Sequence, residues 1–244
     1  MKAMIFAAGF GTRLRPLTNN IPKALVKVGN TTLLELAIAN LKKFNINEII
    51  INVHHFGDQI INFLNENNFG VDIQVSDERE LLLDTGGGLK KCAEYFAGTD
   101  PFLLYNVDII SDIDINEMLK YHNTSNSLAT LAVRNRDTSR YLLFDENNVL
   151  SGWKNIKTGE ILNSRINQGI LNSFAFSGIH IINPEIFDLM PGENIFSIIK
   201  LYLKLSIDHT ICGYNHTKSE WLDVGKLDSI EDAESLISKM NINY

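Results

Sequence analysis

Two glycines and two cationic side chains near the amino terminus have the types and spacing of a phosphate site. Gly9 and Gly11 lie within residues 7–14, and Arg13 and Lys23 follow them. Glycine adopts backbone conformations that are closed to other residues, which lets amide N–H groups approach phosphate oxygens. Arg13 and Lys23 would place positive charge beside those amides. The segment predicts a site for a small phosphorylated ligand, although charge alone would equally suit a solvated basic surface.

The spacing of this segment differs from two common phosphate-binding motifs. A dinucleotide fingerprint, G-x-G-x-x-G, would require a third glycine where the chain has Leu14. A P-loop would close with G-K-[ST], whereas Gly11 is followed by Thr12 and Arg13. The chain therefore contains a glycine turn of another kind, and a dinucleotide-dependent oxidoreductase is disfavoured.

A second glycine-rich segment, residues 84–88, follows the third predicted strand and includes Thr85, Gly86 and Gly87. Three successive glycines destabilise the start of a helix unless the backbone must approach another group closely. We expect that group to be the edge of a nucleobase, read by main-chain atoms. The alternative is a flexible loop.

Two aspartates that are far apart in the sequence each adjoin an apolar strand. Asp108 follows residues 102–106, and Asp223 lies in residues 221–225, ahead of the last predicted helix. Carboxylates at strand ends suit a hard cation that is carried with phosphates, such as Mg²⁺. Taken singly, each aspartate would equally suit a turn or a helix cap. As a pair they predict a shared metal site.

Other signals in the sequence are less specific. Ser177 and Gly178 form a small, polar strand segment that suits either a sugar pocket or a plain core strand. His54 and His55 are adjacent, so on a strand they would point to opposite faces, and we assign neither to a metal. The sequence offers no Ser–His–Asp or Cys–His arrangement that would indicate covalent catalysis.

The elements that must position these residues alternate between strand and helix patterns in the first half of the chain. Nearly continuous apolar runs predict parallel strands covered on both faces. From about residue 127, extended segments separated by turn-forming residues indicate an antiparallel region. This order predicts the α/β class: a three-layer, Rossmann-like, mixed but mostly parallel sheet with helices on both faces and a small antiparallel lid. We predict strands at 1–7, 48–53, 71–75, 102–106, 127–133, 141–144, 149–153 and 174–182, and helices at 33–44, 58–64, 89–96, 195–205 and 227–238.

Length and composition limit the class of protein. The 244 residues are 45% hydrophobic and 21% charged, which suits a single globular domain over residues 1–244. The net charge of −7 argues against nucleic-acid binding, yet residues 1–34 carry five cations and no acidic residue. No apolar run is long enough to span a membrane, and the amino terminus lacks a signal-peptide pattern. Cys92 and Cys212 lack metal-site spacing, so we expect free thiols in a reducing cytoplasm.

Taken together, the motifs resemble the sugar nucleotidyltransferase family of the nucleotide-diphospho-sugar transferase superfamily. The resemblance runs nearly end to end, and its opening motif covers residues 1–18 and 22–23. Residues 85–88, 176–179 and 221–225 are most similar to the N-acetylmuramate 1-phosphate uridylyltransferases of cell-wall recycling. The resemblance implies transfer of a nucleotidyl group from a nucleoside triphosphate, with UTP favoured, to a sugar 1-phosphate, with release of pyrophosphate.

Two segments depart from the family pattern. The family usually has Asn-Gly-Asp where this chain has Asn106-Val107-Asp108, so a valine must fit near the nucleotide. Residues 140–165 form a longer stretch, with Trp153 and Lys154, that resembles the sugar-side lid of thymidylyl- and guanylyltransferases. A mannose or heptose 1-phosphate guanylyltransferase and a glucose 1-phosphate thymidylyltransferase therefore stay open, as does a non-catalytic regulator that binds a sugar nucleotide.

The resemblance also implies roles for individual residues. Residues 1–126 would bind the nucleotide and residues 127–244 the sugar, without nucleic acid or membrane as a partner, and homo-oligomerisation is left open. Catalysis would depend on Arg13, Lys23 and Asp108, and Mg²⁺ would be the cofactor. The nucleotide would contact Ala8, Gly9, Gly11, Thr12, Arg13, Thr85, Gly86 and Gly87; the sugar would contact Asn106, Ser177 and Gly178; Mg²⁺ would be bound by Asp108 and Asp223.

Overall fold

A computed structural model describes residues 1–165 and 169–240, which form a mixed β-sheet with helices packed on it. The strands are β1 (Ala3–Phe6), β2 (Lys27–Val28), β3 (Thr31–Thr32), β4 (Glu48–Val53), β5 (Asp72–Asp77), β6 (Phe102–Asn106), β7 (Ile109–Ser111), β8 (Ala129–Arg134), β9 (Arg140–Phe144), β10 (Leu150–Asn155), β11 (Ile161–Asn163), β12 (Asn172–Ile182), β13 (Ile211–Asn215) and β14 (Trp221–Asp223). The α-helices are α1 (Leu33–Lys43), α2 (Gly57–Glu66), α3 (Asp84–Lys91), α4 (Ala93–Phe96), α5 (Ile115–Thr124), α6 (Ile198–Leu205) and α7 (Ser229–Lys239). None of the described helices is long and apolar enough to cross a bilayer.

The main sheet combines a parallel part with an antiparallel extension. Its strand order is β11-β10-β9-β12-β6-β1-β4-β5, and the pairs β6–β1, β1–β4 and β4–β5 are parallel. Strand β12 pairs antiparallel with both β6 and β9. Strands β9, β10 and β11 pair antiparallel with one another in that order, and we call these three strands the lid. The predicted α/β class with a mixed sheet is therefore confirmed.

Helices cover both faces of this sheet. In β1 the side chains of Ala3 and Ile5 enter one buried cluster, together with residues of α1, α5 and α7. Met4, between them, enters a second cluster with residues of α3, α4 and α6. Because neighbouring strand residues point to opposite faces, these two clusters lie on either side of the sheet. The result is the three-layer arrangement that the apolar runs predicted.

The first helix begins where the sequence places its cap. Thr32 precedes α1, and its hydroxyl accepts a hydrogen bond from the Glu35 backbone N–H at 3.2 Å. The Glu35 carboxylate in turn accepts the Thr32 backbone N–H at 2.7 Å. This reciprocal pair, a capping box, satisfies two backbone donors that the helix start would otherwise leave free.

Helix α3 begins earlier than the sequence predicted, because it contains all three glycines of residues 86–88. The cause is tight packing against residues 194–196. A Cβ atom on Gly87 would lie 1.9 Å from the Asn194 carbonyl oxygen, and one on Gly86 would lie 2.3 Å from the Phe196 ring. The glycines thus allow a neighbouring segment of the chain to reach the helix backbone, which propensity alone cannot reveal.

We predict that Gly87→Ala lowers the free energy of unfolding by at least about 2 kcal/mol, because the new methyl group overlaps a carbonyl oxygen. A loss of stability would be informative, because alanine is the better helix former by about 1 kcal/mol and helix propensity alone would raise the stability. Urea denaturation would measure the change. Gly192→Ala is the matched control: no atom lies within 4 Å of its Cβ position, so its stability should be nearly that of the wild type. Equal stability of both variants would contradict the packing argument.

Candidate active site

A cleft of about 350 Å³ lies where β1 and β6 end, between the glycine turn and α3. This is the carboxyl edge of the parallel strands, where ligands of open α/β sheets bind. Seven residues with roles predicted from the sequence line the cleft. They are Ala8, Gly9, Arg13, Lys23, Thr85, Asn106 and Asp108.

The glycine turn is held by contacts that explain its sequence. Gly11 has a left-handed backbone, with a φ of 63°, and a Cβ atom there would lie 2.9 Å from a methyl carbon of Thr18. The Thr18 hydroxyl donates a hydrogen bond to the Gly11 carbonyl at 2.8 Å. At the start of the turn, the Ala7 backbone N–H donates to the Asn52 side-chain oxygen at 2.8 Å. Both ends of the turn are therefore fixed, while Thr12 stays exposed.

The short antiparallel pair of β7 and β14 brings the two distant aspartates together. Asp223 is in register with Ile109, and the Val224 backbone N–H donates to the Asp108 carbonyl at 2.8 Å. Asp223 also lies 4.0 Å from the exposed guanidinium of Arg13, measured from Oδ2 to Nη2. The aspartates expected to meet do lie side by side, facing the glycine turn.

Lys23 forms an ion pair with Asp108 in which both side chains are nearly buried. Burial raises the pKa of Asp108, but the charge and the hydrogen bond of Lys23 outweigh burial, so this pKa lies below its usual value. For Asp223, burial and the neighbouring charge of Asp108 raise the pKa to about 6. One carboxylate is thus neutralised by a lysine, and the other lacks an equally close cation.

The aspartate pair offers carboxylate oxygens of the kind that bind a divalent cation. Asp223 Oδ1 is buried without a hydrogen-bond partner among the described residues, so it retains an acceptor for a ligand. In the same part of the chain, no group of three or more His, Cys, Asp or Glu side chains converges on one point. Mg²⁺ typically binds one or two carboxylates and completes its shell with substrate phosphates and water. The donor set fits that pattern, although metal binding by Asp108 and Asp223 stays a prediction.

The glycine-rich start of α3 contacts protein where the sequence analysis expected a nucleobase. The backbone N–H groups of Gly86 and Gly87 donate to the Phe196 carbonyl at 2.8 and 3.3 Å. The Thr85 hydroxyl accepts the Ile198 backbone N–H at 3.0 Å. These groups therefore attach the segment before α6 to the cleft wall. Only Thr85 of the three lines the cleft, and the base-reading role stays a prediction.

Ser177 and Gly178 lie behind the residues that line the cleft, whereas the sequence analysis expected them to line a sugar pocket. Ser177 is completely buried, and its hydroxyl lies 2.7 Å from Nε2 of His216. Gly178 has a φ of 78°, and a Cβ atom there would lie 2.8 Å from the Asn106 side-chain nitrogen. The glycine therefore makes room for Asn106, which does line the cleft. Direct contact of Ser177 or Gly178 with a sugar stays a prediction.

Two buried polar residues that line the cleft were missed by the sequence analysis. Asn52 and Glu78 are both buried, and the Asn52 amide nitrogen donates to Glu78 Oε1 at 2.8 Å. Burial raises the pKa of Glu78. The signal for Asn52 was a polar residue near the carboxyl end of β4, where the preceding three residues are all isoleucine. Because Asn52 also accepts the Ala7 N–H, this pair connects the glycine turn to the wall that carries α3.

A second cavity, of about 570 Å³, lies between the lid and α6. We call it the lid cavity. Arg136 lines it and extends toward the aspartates: its guanidinium carbon lies 4.7 Å from the centre of the Trp221 ring, and Nη2 donates to the Phe176 carbonyl at 3.2 Å. Burial lowers the pKa of Arg136, and the charge of Asp223 opposes that shift. Arg136 therefore joins the cavity wall to the strand that ends in Asp223.

A glycine turn opposite paired carboxylates, at the carboxyl edge of an α/β sheet, suits a transferase that acts on phosphorylated substrates. A family model described as "Nucleotidyl transferase" matches residues 2–240, and the chain belongs to that family. An N-acetylmuramate alpha-1-phosphate uridylyltransferase of Neisseria meningitidis serogroup B is 32% identical over 97% of this chain and 98% of its own length. A UTP–glucose-1-phosphate uridylyltransferase of Synechocystis is 30% identical over 93% of this chain.

The names of other relatives give other bases and sugars. A probable mannose-1-phosphate guanylyltransferase of rice is 29% identical over 93% of this chain, and the match spans 62% of the rice protein. The match to the Synechocystis protein similarly spans 61% of that relative. Among solved structures, a putative glucose-1-phosphate thymidylyltransferase of Bacillus anthracis matches 100% of this chain with a TM-score of 0.77 and 22% identity. That likeness supports the fold.

Proposed function

We propose that this chain transfers a nucleotidyl group from a nucleoside triphosphate, with UTP favoured, to a sugar 1-phosphate, and releases pyrophosphate. The favoured acceptor is N-acetylmuramate 1-phosphate or a similar hexose 1-phosphate. The observation that carries the proposal is the pair Asp108 and Asp223 opposite the glycine turn, with Lys23 between the turn and Asp108. This arrangement brings cationic and anionic groups to one end of the cleft, as a reaction between two phosphorylated substrates would require.

The roles of the chain's own residues follow from charge. The acceptor is already an anion at neutral pH, so its phosphate oxygen requires no general base. What the reaction requires is orientation and neutralisation, since attack brings two anions together. The amides of the glycine turn and Arg13 would hold the departing pyrophosphate, and Lys23 would neutralise charge at the α-phosphate. Mg²⁺ held by Asp108 and Asp223 would polarise the α-phosphate oxygens when it is bound.

The two halves of the chain would divide the substrates between them. Residues 1–126 would bind the nucleotide in the 350 Å³ cleft, and residues 127–244 would bind the sugar near the lid. The two buried, free thiols, Cys92 and Cys212, suit a cytoplasmic protein. A cell-wall role would follow from a muramate acceptor. The guanylyl- and thymidylyltransferase alternatives differ only in base and sugar.

Pyrophosphate release tests the proposal. The purified chain with Mg²⁺ would be incubated with each of five nucleoside triphosphates and a panel of sugar 1-phosphates. We expect release that depends on both substrates and is fastest with UTP. A different preferred base would redirect the assignment to the guanylyl or thymidylyl alternative. Failure to release pyrophosphate with any pair, together with tight binding of a sugar nucleotide, would favour a non-catalytic regulator.

The raised pKa of Asp223 predicts a pH dependence of metal binding. An unperturbed aspartate titrates near 3.8, and Asp223 in the fold titrates at about 6. Between these values the folded chain binds more protons than the unfolded chain, so metal-free stability falls as pH rises. Mg²⁺ binds ionised carboxylates. Stabilisation by Mg²⁺ should therefore grow as pH rises through about 6.

The measurement is the shift in Tm on adding Mg²⁺, taken at about pH 5 and about pH 7.5, on either side of this titration. We expect a small shift at the lower pH and a clear one at the higher pH. In Asp223→Asn the difference between the two pH values should disappear. A shift of equal size at both values in the wild type would contradict this assignment.

A further inference from the structure

The lid cavity carries a concentration of positive charge. Arg136, Arg140 and Lys200 line it, and Glu160 is its acidic residue. Within residues 1–165 and 169–240, none of these three cations forms a salt bridge. The chain as a whole carries a net charge of −7. The charge of the side chains around this cavity is therefore opposite in sign to the net charge of the chain, which indicates an anionic ligand.

The three cations come from two separate parts of the chain, because Arg136 and Arg140 are four residues apart and Lys200 is distant from both. Arg140 begins lid strand β9, Lys200 belongs to α6 on the other side of the cavity, and Arg136 precedes the lid. A solvated basic face would place such residues along one helix or strand. Here the fold gathers them around one space, and Arg136 continues from it toward Trp221 at 4.7 Å. A ligand with one anionic group near Arg136 and another near Arg140 and Lys200 would contact all three cations.

The remaining lining suits a sugar ring. Trp153 and Phe176 contribute aromatic surface to the cavity, and an aromatic face packs well against the apolar face of a pyranose. The volume of about 570 Å³ lies within the range, roughly 300–1,000 Å³, that is usual for small-molecule sites. Aromatic walls and cations at both ends fit a sugar that bears more than one negative group.

We propose that Arg140 and Lys200, on opposite sides of the lid cavity, select an acceptor sugar that carries a carboxylate in addition to its 1-phosphate. The proposal rests on the function proposed above and assigns specificity to two residues outside the aspartate pair. Arg140 and Lys200 contact the sugar carboxylate from opposite walls. Arg136 lies nearer the 1-phosphate.

The test compares two acceptors that differ by one acidic group. N-acetylmuramate 1-phosphate is N-acetylglucosamine 1-phosphate with an added lactyl carboxylate. We expect wild-type kcat/KM to be at least about tenfold higher for the acidic acceptor, the scale of one charge-assisted hydrogen bond. The double variant Arg140→Gln/Lys200→Gln should lose that preference, because kcat/KM should fall at least about tenfold more for the acidic acceptor than for the neutral one. Lys204→Gln is the control, because Lys204 lies one turn beyond Lys200 and does not line the cavity.

The outcomes separate this inference from the proposed function. Turnover of both acceptors at equal efficiency by the wild type would overturn the inference and leave nucleotidyl transfer standing. A wild-type preference for the acidic acceptor that survives in the double variant would also overturn it. If no acceptor in the panel supports pyrophosphate release, the proposed function itself fails. Loss of preference in the double variant, with retention in Lys204→Gln, supports the assignment of Arg140 and Lys200.

Discussion

Asp108→Asn is expected to reduce turnover by at least about a thousandfold at saturating Mg²⁺. The substitution keeps the size of the side chain but removes the charge that would hold the metal at the α-phosphate. Asp108 is buried at the end of the cleft, so bulk solvent cannot replace the lost charge. Asp223→Asn should reduce turnover by a similar factor. Steady-state pyrophosphate release measures both variants.

The two variants should differ in stability, which separates a metal role from general damage. Asp108→Asn leaves Lys23 nearly buried and without its anionic partner, an arrangement that costs about 3–5 kcal/mol when a buried pair is broken. Asp223→Asn instead removes a carboxylate whose ionisation is opposed by burial and by Asp108, so metal-free stability at neutral pH should be unchanged or higher. Asp208→Asn, at an exposed position after α6, is the control for both readouts. Near-normal turnover in both cleft variants would refute the metal assignment.

The sequence is most informative where local pattern and structure coincide. Predicted strands 48–53 and 102–106 have the bounds of β4 and β6, because short apolar runs in a parallel sheet are buried on both faces. By contrast, α5 was not predicted. Its stripe of Ile115, Met118 and His122 is sparse, although Asp114 caps it by accepting two backbone N–H groups. A closer search for Asp followed three residues later by Glu would have found this helix start.

The parts of the site that escaped prediction depend on contacts between distant segments. Nothing near Gly86 in the sequence indicates that Phe196 will occupy the space beside it. Likewise, the ion pair of Lys23 with Asp108 follows from the fold, since each residue alone is an ordinary charged side chain. The sequence indicates residue types that suit the proposed chemistry. The tertiary packing decides which of them meet.

Lys23→Met is expected to lower kcat and to raise the affinity for Mg²⁺. Methionine keeps the apolar stem but lacks the charge that would neutralise the α-phosphate, so kcat should fall at least about a hundredfold. In the absence of nucleotide, Lys23 would also compete with a metal for Asp108, since the two side chains form a nearly buried ion pair. Removal of that competitor should tighten the binding of Mg²⁺ alone, as measured by calorimetric titration.

The control for this variant is Lys27→Met, a change of the same kind at an exposed position four residues away, which should leave both measurements unchanged. An effect of Lys23→Met on KM with normal kcat would mean that Lys23 binds substrate and transition state equally. Weaker binding of Mg²⁺ in the variant would mean that Lys23 positions Asp108 for the metal. Slower turnover together with tighter metal binding is the combination expected only if one lysine serves the carboxylate in the free enzyme and the phosphate during the reaction.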